Sequence, residues 1–320
     1  MQSATPENIR AAAQQLREGN LVAFPTETVY GLGANACDDS AVCKIFNTKG
    51  RPSDNPLIVH VHSSDCARLY VSSIDSISEK LAAKFWPGPL TIVLPIGGIR
   101  SVSRFVTAGL GTVGFRVPSH PVALALLREV DLPIAAPSAN KSGSPSPTSA
   151  LHVFSDLGNQ LTILNGGNCL VGLESTVVQV IDGIVHILRP GGVSQEDIQL
   201  LGFKTVSDSI SGNSPPRAPG MKYRHYAPKA KVIPVLLGWD EIQPKTSDLV
   251  IGFANEQHHP CAFVEFAQTK NDLHVASTRL FDLLRHADQV NAHTVYIDCS
   301  FDREHGLGTA LWNRISKAAQ

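Results

Sequence analysis

Short apolar runs alternate with segments of helical periodicity through the first two thirds of the chain. The pattern predicts one helix that begins after Thr5 with Pro6 in its first turn, and further helices at Ala41–Asn47, Ile77–Phe85 and Pro121–Val130. It predicts strands at Leu21–Phe24, Leu57–Val61, Leu90–Leu94, Val113–Val117, Ile134–Ala136, Leu161–Leu164, Thr176–Ile181 and Ile184–Leu188. Because strands and helices interleave, the fold class is α/β.

A break in composition separates this part from a second one. Residues 206–231 lack apolar periodicity and are rich in Ser, Gly and Pro, which predicts a linker. Beyond them, the pattern predicts strands at Val232–Leu237, Leu249–Phe253, Ala262–Phe266 and Val295–Asp298, and helices at Ala276–Ala287 and Gly308–Ala318. We therefore expect a larger domain over 1–205, a linker over 206–231 and a smaller α/β domain over 232–320.

The charge of the chain is nearly balanced, with 27 Lys and Arg against 28 Asp and Glu and a net charge of −1. This balance argues against a broad basic face for nucleic acid. The net charge is unevenly distributed along the chain: it is −1 over residues 1–205, +4 over the linker and −4 over residues 232–320. The composition, 43% hydrophobic and 17% charged, is that of a folded chain.

The N-terminus and the cysteines bear on the compartment. The first eight residues have neither the basic nor the apolar region of a signal peptide, and no apolar run approaches the roughly 18 residues of a membrane span. The six cysteines form no C-x-x-C pair and read as packing residues in a reducing compartment. We therefore expect a cytoplasmic protein.

A glycine motif, Gly109-Leu-Gly-Thr-Val-Gly114, matches the dinucleotide fingerprint G-x-G-x-x-G. That fingerprint must follow a strand and open a helix, whereas these glycines precede the strand Val113–Val117. A turn before a strand is the better interpretation. The sequence contains no P-loop, no G-x-S-x-G and no H-E-x-x-H motif.

Four polar segments stand where strands or helices end, namely Pro25–Gly31, Lys49–Pro52, Ile134–Asn140 and Leu188–Gly192. Each is weak alone, since a cation at a helix end is usually solvated. Strand alternation predicts Ser138 and Asn140 on one face. Together the segments predict a pocket in which Lys49, Arg51 and Arg189 lie near hydroxyl and amide groups. Such a pocket suits an anionic, phosphate-bearing ligand.

These segments belong to a longer ordered series of motifs, which runs through Phe24–Gly33, Lys49–Pro52, Asn55–Leu57, Trp86–Pro89, Gly114–Pro118, Ala136–Asn140, Leu173–Val177, Leu188–Gly191, Pro219–Pro228 and Gly306–Ala310 with Asn313-Arg314. In this series the chain resembles the Sua5/YrdC/TsaC family, the L-threonylcarbamoyladenylate synthases, in its long form. The resemblance implies a YrdC-like twisted mixed sheet with helices and a smaller Rossmann-like C-terminal domain. One departure is Asn313, where an Asp often stands; we expect it to affect the second domain and not the pocket.

The resemblance implies that L-threonine, bicarbonate and ATP give threonylcarbamoyl-AMP and pyrophosphate, for the t6A modification at position 37 of tRNA. It implies ATP as a substrate, Mg²⁺ held mainly by its phosphates, no protein metal site, a downstream t6A transferase as partner and at most weak tRNA binding. A reaction among anionic groups needs cations and correct positioning of the reactants rather than a protein nucleophile or paired carboxylates. The sequence offers such cations, and it shows neither a nucleophile motif nor paired carboxylates.

The family's residues fall on the following positions. The catalytic signature falls on Lys49, Arg51, Ser138 and Asn140. Nucleotide contacts fall on Arg51, Asn55, Thr112, Ser138, Ser146 and Arg189, with Tyr223, His225 and Tyr226 of the linker closing over the nucleotide. Threonine contacts fall on Thr28, His60, Arg116, Ala136 and Ser175, and a guanidinium such as that of Arg116 grips a carboxylate bidentately.

Two alternatives stand beside the synthase. The basic linker also fits a non-catalytic RNA-binding module, whose tRNA affinity would depend on salt and survive loss of the pocket cations. A carbamoyl transferase of the hydrogenase-maturation type shares a YrdC-like module, but the cysteine spacing here supplies no zinc finger.

Overall fold

The computed structural model describes residues 1–207, 225–236, 239, 242–254 and 261–320. The larger part is built on a twisted mixed sheet of eleven strands. They are β1 (Gln2–Ser3), β2 (Val22–Phe24), β3 (Gly31–Asn35), β4 (Ile58–His60), β5 (Leu90–Pro95), β6 (Thr112–Arg116), β7 (Ile134–Ala135), β8 (Thr162–Asn165), β9 (Thr176–Ile181), β10 (Ile184–Arg189) and β11 (Thr205–Ser207). Across the sheet the order is β1-β8-β2-β3-β7-β4-β6-β5-β9-β10-β11.

The helices that cover this sheet are α1 (Pro6–Arg17), α2 (Asp39–Lys49), α3 (Ser64–Arg68), α4 (Ser76–Phe85), α5 (Arg104–Thr107), α6 (Pro121–Val130), α7 (Ala150–Leu157) and α8 (Gln195–Gln199). Local chemistry fixes where α2 begins and ends. The Asp38 side chain accepts hydrogen bonds from the backbone N–H groups of Ser40 and Ala41, and Gly50 ends the helix in the left-handed conformation at φ 63°. Lys49 therefore lies in the last turn and Arg51 just past it.

The smaller part is a parallel four-stranded sheet of β12 (Lys231–Val235), β13 (Leu249–Phe253), β14 (Ala262–Ala267) and β15 (Thr294–Asp298), in the order β12-β15-β13-β14. Its helices are α9 (Leu273–Gln289) and α10 (Gly306–Ala318). The apolar core of this part includes Val29 and Leu173 of the larger part and Tyr226 of the linker. The two parts are therefore packed together through a shared core.

The predicted α/β class and a second sheet are confirmed, and α6 has the predicted bounds. The strand β3 was not predicted, because Gly31-Leu-Gly33 has the composition of a turn. It forms a strand because it pairs antiparallel with both β2 and β7. A side chain at Gly33 would lie 2.8 Å from the ring of Phe24, so the close packing requires glycine there.

Gly109 and Gly111 of the glycine motif precede β6, as predicted for a turn, whereas Gly114 lies within that strand. The prediction that strand alternation puts Ser138 and Asn140 on one face is wrong. The strand β7 ends at Ala135, so the residues beyond it do not alternate as a strand.

Candidate active site

A cavity of about 70 Å³ lies beside the parallel pair β4 and β6, whose last residues, His60 and Arg116, are direct partners in register. The loop between β2 and β3 and the linker residues His225 and Tyr226 complete its wall. All five residues predicted for threonine line it, namely Thr28, His60, Arg116, Ala136 and Ser175. Five of the residues predicted for the nucleotide also line it, namely Arg51, Ser138, Arg189, His225 and Tyr226.

Arg116 is buried at 4% exposure and is held by two residues of the loop after β2. Its Nη2 donates to Glu27 Oε1 at 2.6 Å, its Nη1 donates to Thr28 Oγ1 at 2.9 Å, and its Nε donates to the Gly88 carbonyl. Burial raises the pKa of Glu27, but the charge and hydrogen bond of Arg116 together with backbone hydrogen bonds outweigh burial and hold that pKa below its usual value. A guanidinium has five N–H groups, so these bonds leave one N–H on each terminal nitrogen to face a ligand.

Two more cations line the cavity. Arg51 donates from Nη2 to the Pro56 carbonyl at 3.0 Å, which orients its guanidinium. Arg189, at the end of β10, donates to the Ser175 carbonyl at 2.8 Å and to the Ser175 hydroxyl at 3.1 Å. Three guanidinium groups around one cavity make it strongly favourable for a multiply charged anion.

Two histidines bring neutral imidazoles to the cavity. Burial, together with the nearby Arg116, lowers the pKa of His60 to about 3, and burial together with Arg51 lowers the pKa of His225 to about 4. His60 Nδ1 and His225 Nε2 are buried without a hydrogen-bond partner among the residues that the structure describes. Buried polar atoms are usually satisfied, so these two are available to a ligand.

Lys49 and Asn140, predicted as catalytic, lie behind the cavity wall rather than in it. The Lys49 ammonium donates to the Ser138 carbonyl and to the Asn140 carbonyl and side chain. Burial, with Arg51 close by, lowers the pKa of Lys49 well below its usual range. The Asn140 amide donates to the carbonyls of Lys141 and Ser144. Both residues therefore hold the loop that carries Ser138.

The other predicted nucleotide residues take three different places. The Asn55 carbonyl accepts from Arg51 Nε at 3.3 Å, and its buried Oδ1 has no partner among the described residues. Thr112 lines a separate small cavity beside β5 and β6. Ser146 donates from its hydroxyl to Glu174 Oε1 at 2.5 Å, directly behind the cavity wall. Tyr223 lies outside the described residues.

Tyr226 is 4% exposed and has φ 68°, a conformation that is sparsely populated for a non-glycine residue. Its ring packs 5.3 Å from that of Phe281 in α9, and Arg314 of α10 lies over it at 5.4 Å. Arg314 also donates from Nε to Glu174 Oε2 at 2.7 Å. Asn313, expected to affect the second domain and not the pocket, accepts from Arg314 Nη1 at 2.8 Å and is thereby connected to Glu174 in the cavity wall.

Sequence reasoning missed the two buried carboxylates of the site, Glu27 and Glu174. Glu27 lies in the motif Phe24–Gly33 and Glu174 lies in the motif Leu173–Val177, but no role is predicted for either residue. One signal in the sequence could have identified them. Each is an acidic residue near the end of a strand, in a segment whose other polar side chains carry hydroxyl groups. Its partner could not be read from the sequence, because Arg116 lies 89 residues from Glu27 and Arg314 lies 140 residues from Glu174.

The described residues contain no group of three or more His, Cys, Asp and Glu side chains that could hold a metal ion. Glu174 in the cavity wall and Glu27 behind Arg116 are each paired with an arginine, so they fit poorly as metal ligands. No helix in the described part of the chain is both long enough and apolar enough to cross a membrane.

The chain is similar to proteins of known name over nearly its whole length. The Sua5/YciO/YrdC family, described as "Telomere recombination", matches residues 14–191, and the threonylcarbamoyl-AMP synthase C-terminal domain matches residues 193–320. The threonylcarbamoyl-AMP synthase of Pyrococcus abyssi is 43% identical over 97% of this chain and 94% of its own length. That of Bacillus subtilis is 42% identical over 99% of this chain and 94% of its own length.

A solved structure agrees with these sequence matches. The crystal structure of P. abyssi Sua5 complexed with L-threonine has a TM-score of 0.87 and 40% identity, and the match covers 98% of this chain and 95% of that one. A likeness of this extent includes both sheets. The chain belongs to the Sua5/YciO/YrdC family and has the C-terminal domain of the threonylcarbamoyl-AMP synthases.

Proposed function

We propose that this protein is an L-threonylcarbamoyladenylate synthase, which converts L-threonine, bicarbonate and ATP into threonylcarbamoyl-AMP, pyrophosphate and water for the t6A modification of tRNA. The observation that carries the proposal is the cavity ringed by Arg51, Arg116 and Arg189, in a chain that matches proteins of this name from end to end. The match to a threonine complex of P. abyssi Sua5 supports the amino-acid substrate.

The reaction needs charge stabilisation more than covalent help. The threonine amine adds to the carbon of bicarbonate and water leaves, which gives a carbamate. A carbamate oxygen then attacks the α-phosphorus of ATP, the bond to the oxygen that bridges to the β-phosphorus breaks, and pyrophosphate leaves with that electron pair. The attacking carbamate, the triphosphate and the leaving pyrophosphate are all anionic, so guanidinium groups aimed at the phosphates lower the barrier.

The threonine subsite is proposed at Arg116 and His60. Arg116 is held rigid by Glu27 and Thr28, and its two remaining N–H groups suit a carboxylate. The neutral imidazole of His60 has an unpartnered Nδ1 that can hydrogen-bond the threonine hydroxyl. Ala136 and Ser175 complete the wall of this subsite.

The nucleotide subsite is proposed at Arg51, Ser138 and Arg189, with Asn55, Ser146 and the linker residues Tyr223, His225 and Tyr226 around it. Thr112 remains a proposed nucleotide contact, although it lines a separate small cavity. A space of 70 Å³ holds a few water molecules and is too small for ATP. The linker residues His225 and Tyr226 form part of its wall, so we propose that they move aside to admit ATP and close over it afterwards. Lys49 and Asn140 act as positioning residues through the Ser138 loop.

Mg²⁺ is proposed to enter with ATP, held by phosphate and water oxygens rather than by Glu27 or Glu174. We further propose a cytoplasmic location, transfer of the product to a downstream t6A transferase, and at most weak binding of tRNA. The division into a catalytic domain over 1–205, a linker over 206–231 and a C-terminal domain over 232–320 remains a proposal.

Pyrophosphate release tests the proposed reaction. Release is expected only when threonine, bicarbonate and ATP are all present, and serine is expected to replace threonine poorly. Release that is indifferent to threonine or to bicarbonate would refute the proposal. Salt-dependent tRNA binding that survives Lys49→Ala with Arg51→Ala, without such release, would favour the RNA-binding alternative.

A matched pair of variants checks the cavity itself. Arg51→Ala is expected to lower kcat/KM for ATP by about ten- to hundredfold, because a charged hydrogen bond contributes ~1.5–3 kcal/mol. Arg104→Ala removes an exposed arginine away from the cavity and is expected to leave kcat/KM unchanged. Equal losses in both variants would mean that the cavity is not the nucleotide site.

A further inference from the structure

Glu174 stands in an unfavourable place for a carboxylate. It is 8% exposed and lines the same cavity as Arg189, where the proposed function puts the triphosphate of ATP. A buried negative charge beside a bound polyanion would repel it, and the low local dielectric would strengthen that repulsion. The fold must therefore neutralise Glu174 if the cavity is to accept ATP.

The neutralising charge comes from the second domain. Arg314 of α10 is completely buried, and its Nε donates to Glu174 Oε2 at 2.7 Å. The other oxygen, Oε1, accepts from the Ser146 hydroxyl at 2.5 Å. Both carboxylate oxygens are thus engaged in hydrogen bonds with the protein.

Nη1 of the Arg314 guanidinium is also held by hydrogen bonds, whereas its buried Nη2 has no hydrogen-bond partner among the described residues. Its Nη1 donates to the Pro190 carbonyl at 2.9 Å and to Asn313 Oδ1 at 2.8 Å, and its Cζ lies 5.4 Å from the centre of the Tyr226 ring. Pro190 directly follows Arg189, so one side chain touches the segments that carry Glu174, Arg189 and Tyr226. Burial raises the pKa of Glu174, but the charges of Arg314 and Arg189 together with the hydrogen bonds from Ser146 and Arg314 outweigh burial. They hold this pKa below its usual value, so the carboxylate is ionised.

We propose that Arg314 is a positioning residue through which the C-terminal domain completes the nucleotide site, by serving as the counter-ion of Glu174. This inference rests on the proposed function only in taking ATP as the ligand. It gives the second domain a role in substrate binding: without α10, the cavity would contain an unpaired buried carboxylate that opposes the triphosphate.

The test measures the dissociation constant for ATP by calorimetry, with no need for turnover. Arg314→Gln is expected to weaken ATP binding at least tenfold, which corresponds to about 1.4 kcal/mol. Glu174→Gln combined with Arg314→Gln removes both charges and is expected to restore binding to within threefold of the wild type. A purely structural role of Arg314 would not be rescued by a change that removes its only carboxylate partner among the described residues.

The matched control is Arg285→Gln. Arg285 is also a buried arginine of the second domain that binds the larger part, through Asp156 at 2.7 Å, but it does not line the cavity. The Arg285→Gln substitution is expected to lower the melting temperature without changing the affinity for ATP. A comparable loss of ATP affinity in Arg285→Gln would overturn the inference.

Two further outcomes decide the question. A double variant that binds ATP as weakly as Arg314→Gln would overturn the counter-ion role. If Arg314→Gln does not fold, the ATP affinity of Glu174→Gln is compared with that of the double variant. Affinities within threefold of each other support the counter-ion role of Arg314, and a tenfold difference overturns it. A wild type that binds ATP but releases no pyrophosphate with threonine and bicarbonate would refute the proposed reaction alone.

Discussion

Replacing His60 with asparagine removes a buried imidazole whose charge state is set by the fold. The folded protein lowers the pKa of His60 to about 3 from its ordinary value of 6.5, because of burial first and the nearby Arg116 second. At pH 7 this imidazole is neutral in both the folded and the unfolded chain. As the pH falls below 6.5, it takes up a proton in the unfolded chain only, so the folded state loses stability relative to the unfolded one.

The size of the effect follows from the width of that pH window. Each pH unit between the two pKa values is worth ~1.4 kcal/mol, so His60 alone removes about 2 kcal/mol of stability between pH 7 and pH 5. The His60→Asn variant has no titrating group at this position. Between pH 7 and pH 5 its free energy of unfolding is therefore expected to fall by about 2 kcal/mol less than that of the wild type. Other groups, His225 included, contribute equally to both proteins and cancel in the difference.

Urea unfolding followed by circular dichroism at pH 7, 6 and 5 measures the difference. Only the change with pH is interpreted, since asparagine can alter stability at every pH. His305→Asn is the control: His305 is exposed and paired with Asp302, which raises its pKa. Its removal is expected to change the pH dependence weakly and in the opposite direction. Parallel curves for the wild type and His60→Asn would refute the assignment of His60 as a neutral, desolvated imidazole.

Two other variants test how the cavity wall is held. Lys49→Met leaves the buried Asn140 carbonyl and the partly buried Ser138 carbonyl without their donor. It is expected to lower the free energy of unfolding by ~2–4 kcal/mol and to weaken ATP binding. Lys141→Met removes an exposed lysine and is expected to change stability by less than ~0.5 kcal/mol; equal losses in urea unfolding would contradict this account. Gly191→Ala puts a Cβ 2.4 Å from the backbone carbonyl carbon of Ser175. This clash is expected to lower the melting temperature by several degrees. An unchanged melting temperature would show that the backbone can relax to relieve the contact.

The fold was predictable where local pattern and final environment agree. Helix α6 follows its apolar periodicity to the residue, and the second sheet follows its apolar runs. Strand β3 could not be predicted, because its glycines weaken any local preference for a strand. It forms because β2 and β7 on either side supply hydrogen bonds and the ring of Phe24 leaves no room for a larger side chain at Gly33.

The site divides in a similar way. The ordered motifs led to the residues that line the cavity, including the arginines Arg51, Arg116 and Arg189. They did not reveal that the Lys49 ammonium would lie behind the cavity wall, bonded to the Ser138 carbonyl. A lysine in the last turn of a helix can be solvated or buried, and only the packing of the Ser138 loop over α2 decides between these outcomes.

The sequence by itself determined the α/β class, the helix ends set by Asp38 and Gly50, and the family's motif series, because these depend on neighbours a few residues apart. The tertiary structure decided which charges meet. Glu174 and Arg314 are 140 residues apart, and their ionisation inside the protein is sustained only because folding places them 2.7 Å from each other. A buried charge must have a partner, and no local pattern identifies a partner at that distance along the chain.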